Sequence, residues 1–149
     1  MTNHFSFDEL TRSATAARKG IDNNPDQEAE GNLLALCENI LEPIRKYLGQ
    51  PLRITSGYRS QKLNKAIGGA RRSQHIDGQA ADVTCQGRNA EVFKYALKAL
   101  DFDQLIWEFG TADEPQWVHI SFNEGNNRNN ALIAYRHGRK TLYTPYDKQ

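Results

Sequence analysis

The order of elements along this 149-residue chain predicts an α+β fold. Helical apolar spacing dominates the first half, and short β-like runs crowd the second. The longest helical stretch carries one apolar face, which calls for a flat partner. An antiparallel sheet with helices packed on one side satisfies both observations. The length suits one domain over residues 1–149, and no repeat, low-complexity tract or linker-like shift divides it.

Ser6-Phe7-Asp8-Glu9 reads as a capping box that opens a short helix. The turn-rich segment from Gly20 to Asp26 is a natural start for the next one. From Asp26 to Leu48, Leu33, Leu34, Cys37, Ile40, Leu41, Ile44 and Leu48 recur at helical spacing, and Gly49 is a fitting stop. Pro43 interrupts this stretch, so the helix kinks or splits there. Leu52 to Thr55 forms a short strand, Ser60 caps a helix that ends near Gly68-Gly69, and Gln79 to Cys85 returns as a strand. Asn89 to Leu100 is an amphipathic helix. Three β-like runs follow: Gln104 to Phe109, Gln116 to Phe122, and Ala131 to Thr144 with a turn at His137-Gly138.

Composition narrows the function. A formal net charge of +1 provides no global field for nucleic acid or an anionic membrane surface. No apolar run approaches the roughly twenty residues that span a bilayer. No basic start followed by an apolar stretch marks the N-terminus as a secretory signal. Cys37 and Cys85 sit far apart in apolar runs, where buried free thiols are expected over a disulfide. His4 and His137 fall near the terminus and in a turn, and are read as solvated. The basic clusters Arg71-Arg72 and Arg136, Arg139, Lys140 are read as solvated faces.

The chemistry concentrates elsewhere. Asp82 lies inside the apolar run Ala80-Ala81-Asp82-Val83, where an ionised carboxylate is costly unless compensated. A salt bridge or backbone amides would compensate it; a metal ion would do so more completely. His75 precedes it across a turn at Gly78. In Trp117-Val118-His119-Ile120-Ser121-Phe122, alternation turns His119 away from the most apolar face. Two imidazoles and a carboxylate make a three-ligand set that leaves a position for water, as in a catalytic zinc site.

Ser73-x-His75-x-x-Gly78-x-Ala80-x-Asp82-Val83 followed by Trp117-Val118-His119 resembles the zinc D-alanyl-D-alanine carboxypeptidase family, peptidase family M15. The upstream Thr55-Ser56-Gly57-Tyr58-Arg59-Ser60 is similar to that family's Ser-Gly-aromatic-Arg segment. The resemblance runs from about Phe5 through Phe122 and is closest to the short branch that includes phage endolysin peptidases. It implies one zinc ion on His75, Asp82 and His119, at the sheet of an α+β domain. It implies peptidoglycan stem peptides as substrate, cut by a D,D-carboxypeptidase or endopeptidase activity. It also implies that Arg59 and Ser73 bind substrate. Arg59 can fork onto a carboxylate or carbonyl oxygen, where the plain alternative is a surface ion pair. For Ser73 the alternative is a hydroxyl bonded to its own loop backbone. With no visible signal and a substrate outside the membrane, a monomeric phage or prophage lysis enzyme is the expectation.

One position departs from the family. Many members carry Glu or Asp three residues before the last histidine as general base, and here Gln116 stands there. Glu108, Asp113 and Glu114 are the nearby carboxylates. Glu108 shares a strand face with Gln104 and Ile106, and serves either as the base or as a support that bonds a ligand histidine. The departure also keeps open a different class of function, a zinc-containing module that grips wall peptide without cutting it.

Overall fold

Capping chemistry opens the chain. In the computed structural model, which describes residues 1–147, the Ser6 hydroxyl accepts from the Glu9 N–H and the Glu9 carboxylate accepts from the Ser6 N–H. This reciprocal pair starts α1 (Phe7–Thr11). No helix is expected from the sequence in the next stretch, yet α2 (Ala14–Lys19) forms there, with Ser13 capping it and Gly20 ending it at φ 64°. His4 is exposed but not merely solvated, because its Nδ1 lies 2.6 Å from Glu42 Oε1.

Asp26 caps α3 (Gln27–Leu36), which passes without a break into one π-helical turn (Cys37–Leu41) and then α4 (Glu42–Leu48). Pro43 explains the wide turn. It has no N–H, and its ring crowds the carbonyl four residues earlier. The backbone widens just ahead of it, so the Glu42 N–H reaches back five residues to Cys37 O. Gly49 closes the rod at φ 66°. Ser60 caps α5 (Gln61–Ala66), and α6 (Asn89–Ala99) follows later in the chain.

Six strands form one sheet: β1 (Arg53–Ser56), β2 (Ala80–Thr84), β3 (Gln104–Glu108), β4 (Trp117–Ser121), β5 (Asn130–His137) and β6 (Lys140–Pro145). Their spatial order is β1-β2-β4-β3-β5-β6. The sheet is mixed, not wholly antiparallel as expected, because β3 and β5 run parallel. The cause lies in a short connection. β4 ends with Ser121 beside the start of β3, and the loop over residues 122–129 passes around that end. There the Asn129 N–H bonds Phe102 O and the Asn130 N–H bonds Asp103 O. β5 therefore starts where β3 starts and runs the same way.

The helices cover one face. Leu33, Leu36, Ile40, Leu41 and Ile44 join Val92, Phe93 and Ala96 of α6 in a core against Ala81, Val83, Leu105, Trp107, Val118 and Ile120. α5 stands apart, since its buried Leu63 lies outside that cluster. Cys37 and Cys85 are buried free thiols. The alternate residues of β2, β4 and β3 point to the opposite face. That face carries the chemistry.

Candidate metal centre and cleft

Register decides what meets on the uncovered face. Asp82 of β2 pairs directly with His119 of β4, and His119 pairs with Ile106 of β3. Directly opposed residues share a face, so the Asp82 carboxylate and the His119 ring are forced together. Asp82 Oδ1 lies 3.0 Å from His119 Nδ1. His75 arrives from the loop before β2. Gly78 turns that loop at φ 74°, and a Cβ there would stand 2.5 Å from Ala29 O, so only glycine fits. His75 Nε2 comes to 3.5 Å from Asp82 Oδ2. One ligand atom from each of the three residues falls within 4.8 Å of the others.

The hydrogen bonds test whether a metal suits this group. His75 Nδ1 lies 2.7 Å from Gly57 O. A carbonyl only accepts, so Nδ1 carries the proton and Nε2 presents a lone pair toward Asp82. Two acceptors thus face each other at 3.5 Å. Burial holds the His75 pKa below its ordinary value, which disfavours a proton as the bridge. A cation between them resolves the conflict. Asp82 is suited to it as well: burial alone would raise its pKa, but its hydrogen bond with His119 outweighs that and keeps it ionised. Gly57 is itself fixed, because the Leu10 carbonyl occupies the place of its absent side chain and accepts from the Tyr58 N–H.

Around the triad lies a cleft of about 580 Å³ whose lining includes Arg59, Ser73, Glu108, Trp117 and Tyr143. Arg59 donates from Nε to Ser56 Oγ and from Nη1 to Asn64 Oδ1, and its Nη2 is 3.6 Å from Asp82 Oδ2. It is a clamped guanidinium inside the cleft, not a surface pair. Ser73 reaches the cleft too, while its hydroxyl accepts from the His75 N–H at 3.2 Å. Its loop-backbone bond is thus formed at a position that lines the cleft.

Glu108 ends β3, two pairs along from the Ile106–His119 pair and so on the same face, and only 8% of it is exposed. Burial pushes its carboxyl up to about 7, with the Asp82 charge adding to the rise and His119 opposing it. Immediately after it, Phe109 at φ 58° and Gly110 at φ 77° turn the chain sharply away. A phenylalanine in the left-handed region is strained, and the strain sits beside the cleft carboxylate. The other carboxylates are elsewhere. Glu114 accepts from the Ala90 N–H at the start of α6, and Asp113 is exposed in its loop. Gln116 is exposed and does not line the cleft, since alternation from His119 turns it to the other side.

Several residues in the cleft or behind its wall were not expected from the sequence. Asp103, 2% exposed, accepts from Arg128 N, Nε and Nη2 and from Gln74 Nε2. Leu132 and Tyr143 come from β5 and β6. A signal existed for Asp103, a carboxylate at the head of an apolar run, but nothing in the sequence placed Tyr143.

A sheet with helices on one face and a His-Asp-His group in a cleft on the other defines a candidate metal-dependent hydrolase. A family model described as Peptidase M15 matches residues 3–121, and the chain belongs to that family of peptidases. None of the curated proteins compared with the chain matches it. Among the described residues, no helix is long and apolar enough to cross a membrane.

Proposed function

We propose that the protein is a zinc peptidase that hydrolyses peptide bonds in the stem peptides of bacterial peptidoglycan, with the ion held by His75, Asp82 and His119. The observation that carries this reading is the facing of the His75 lone pair and the Asp82 carboxylate in a cleft shared with Glu108. When bound, zinc polarises the scissile carbonyl and lowers the pKa of its water.

The remaining work falls to the chain. Glu108 takes a proton from the attacking water and delivers it to the departing amine. A carboxyl near 7 is matched to both transfers at neutral pH. Arg59, held by Ser56, Asn64 and Asp82, offers its free N–H groups to a carboxylate of the stem peptide. The Ser73 hydroxyl keeps its own O–H to donate to the same peptide. A binding module without catalysis would need no proton acceptor here, and the presence of Glu108 favours turnover.

Elemental analysis and mass spectrometry of defined stem peptides test the reading together. One zinc per chain and a single cleaved bond are expected. Zinc with uncut peptide would select the binding module. Stoichiometric zinc in His75→Ala or Asp82→Ala would remove those residues as ligands.

A further inference from the structure

The family match ends at residue 121, but the cleft does not. The hairpin of β5 and β6 lies beyond the match and supplies Leu132 and Tyr143 to the lining. Register shows how. Trp117 pairs with Glu108, Glu108 with Ala134, and Ala134 with Tyr143, in one row across β4, β3, β5 and β6. Members of such a row share a face. Tyr143 therefore projects on the side of Glu108, two strand spacings or about 10 Å away along the backbone. Ala134, the residue of this row between them, carries only a methyl group, and Glu108 and Tyr143 line the same cleft.

Tyr143 is 55% exposed, and its hydroxyl makes no hydrogen bond among the described residues. Packing does not account for it. It stands on the wall opposite Arg59, which approaches Asp82 from the loop after β1. A peptide lying across the triad would pass between the two.

We propose that Tyr143 is a further catalytic residue, donating its phenolic O–H to the carbonyl oxygen of the scissile peptide bond as that oxygen gains negative charge. This rests on the peptidase reading of the cleft. The phenol keeps its proton throughout. Water oxygen bonds the carbonyl carbon, the C–N bond breaks, and the proton travels through Glu108 to the leaving nitrogen. A hydrogen bond that strengthens as charge develops lowers the barrier without tightening substrate binding. Burial and the charges of Glu108 and Asp82 raise the Tyr143 pKa, which keeps the donor protonated while the cleft works.

Tyr143→Phe preserves the ring and removes only the O–H. With the zinc-loaded protein, kcat on a stem peptide should fall about 10- to 100-fold while KM stays within about twofold. Zinc content and thermal midpoint should not move. A phosphinate analogue of the same peptide, tetrahedral at the reacting centre, should bind the variant weaker by the factor lost in kcat. Unchanged kcat overturns the proposal, including the case where Tyr143→Ala raises KM, since the ring would then be only a wall. Equal phosphinate affinity in Tyr143→Phe and the parent overturns it whether or not turnover is seen. A parent protein that leaves every stem peptide intact refutes the peptidase reading itself, a separate result.

Discussion

The two faces of β2, β4 and β3 are made by alternate residues of the same strands, yet different physics holds each. Toward the helices, Ala81, Val83, Leu105, Val118 and Ile120 have no exposed surface, and each contributes by leaving water. Toward the cleft, Asp82, His119 and Glu108 are buried or half-buried but polar, and Asp82 and His119 are held by a bond to each other. Volume governs the first face, and chemistry governs the second. Isosteric changes should thus spare the fold and ruin the cleft, while truncations on the helix side should do the reverse.

The largest expected effect is at the row that pairs two triad members. His119→Ala should leave zinc and turnover below detection by elemental analysis and product assay, with the sheet retained by far-ultraviolet circular dichroism. Glu108→Gln, nearly isosteric, should cut turnover by about 10²–10⁴-fold and keep the ion. If zinc affinity falls in parallel, Glu108 supports a ligand and is not the base. On the helix side, Ile120→Ala should cost about 2–5 kcal/mol in urea unfolding while the folded fraction still binds zinc. Loss of zinc from that folded fraction would mean that the two faces are not separable.

Smaller effects test the edges of the comparison. Asp103→Asn weakens the charged bonds to Arg128 that anchor the loop over 122–129, and should cost about 1.5–3 kcal/mol of stability. A further effect is a pH dependence in the metal-stripped protein. Glu108 ordinarily titrates near 4.5 and is raised to about 7 in the fold, so between those values the native state binds the extra proton. Stability should therefore fall as pH rises through that window, and Glu108→Gln should flatten this part of the profile. A profile unaltered by the substitution would place the Glu108 carboxyl in water.

Period-two alternation turned His119 away from the apolar face and grouped Glu108 with Gln104 and Ile106 before any register was known, while Asp82 stood out as a carboxylate inside an apolar run. The Gly78 turn was legible for a similar reason, since one residue's conformational range decided it. Alternation says nothing about which strand lies beside which. The Asp82–His119 pairing, the parallel β3–β5 contact and the reach of Tyr143 all depend on strand order, which is set by loop lengths and distant packing. α2 was different. Ser13, an alanine-rich run and Gly20 marked it, but six residues with no apolar periodicity gave no face to detect.

The Gly57 carbonyl that orients His75 has a practical consequence for anyone handling this protein. Gly57 rests on the Leu10 carbonyl, and Asn23 ties Thr11 O to Tyr58 O through its side-chain amide. The first helix, remote from the cleft in sequence, thus serves as the footing of the His75 imidazole. Trimming the chain ahead of Arg12 to shorten an expression product would remove no ligand, yet it would loosen the ring that Gly57 steadies and weaken ion retention by about 10–100-fold.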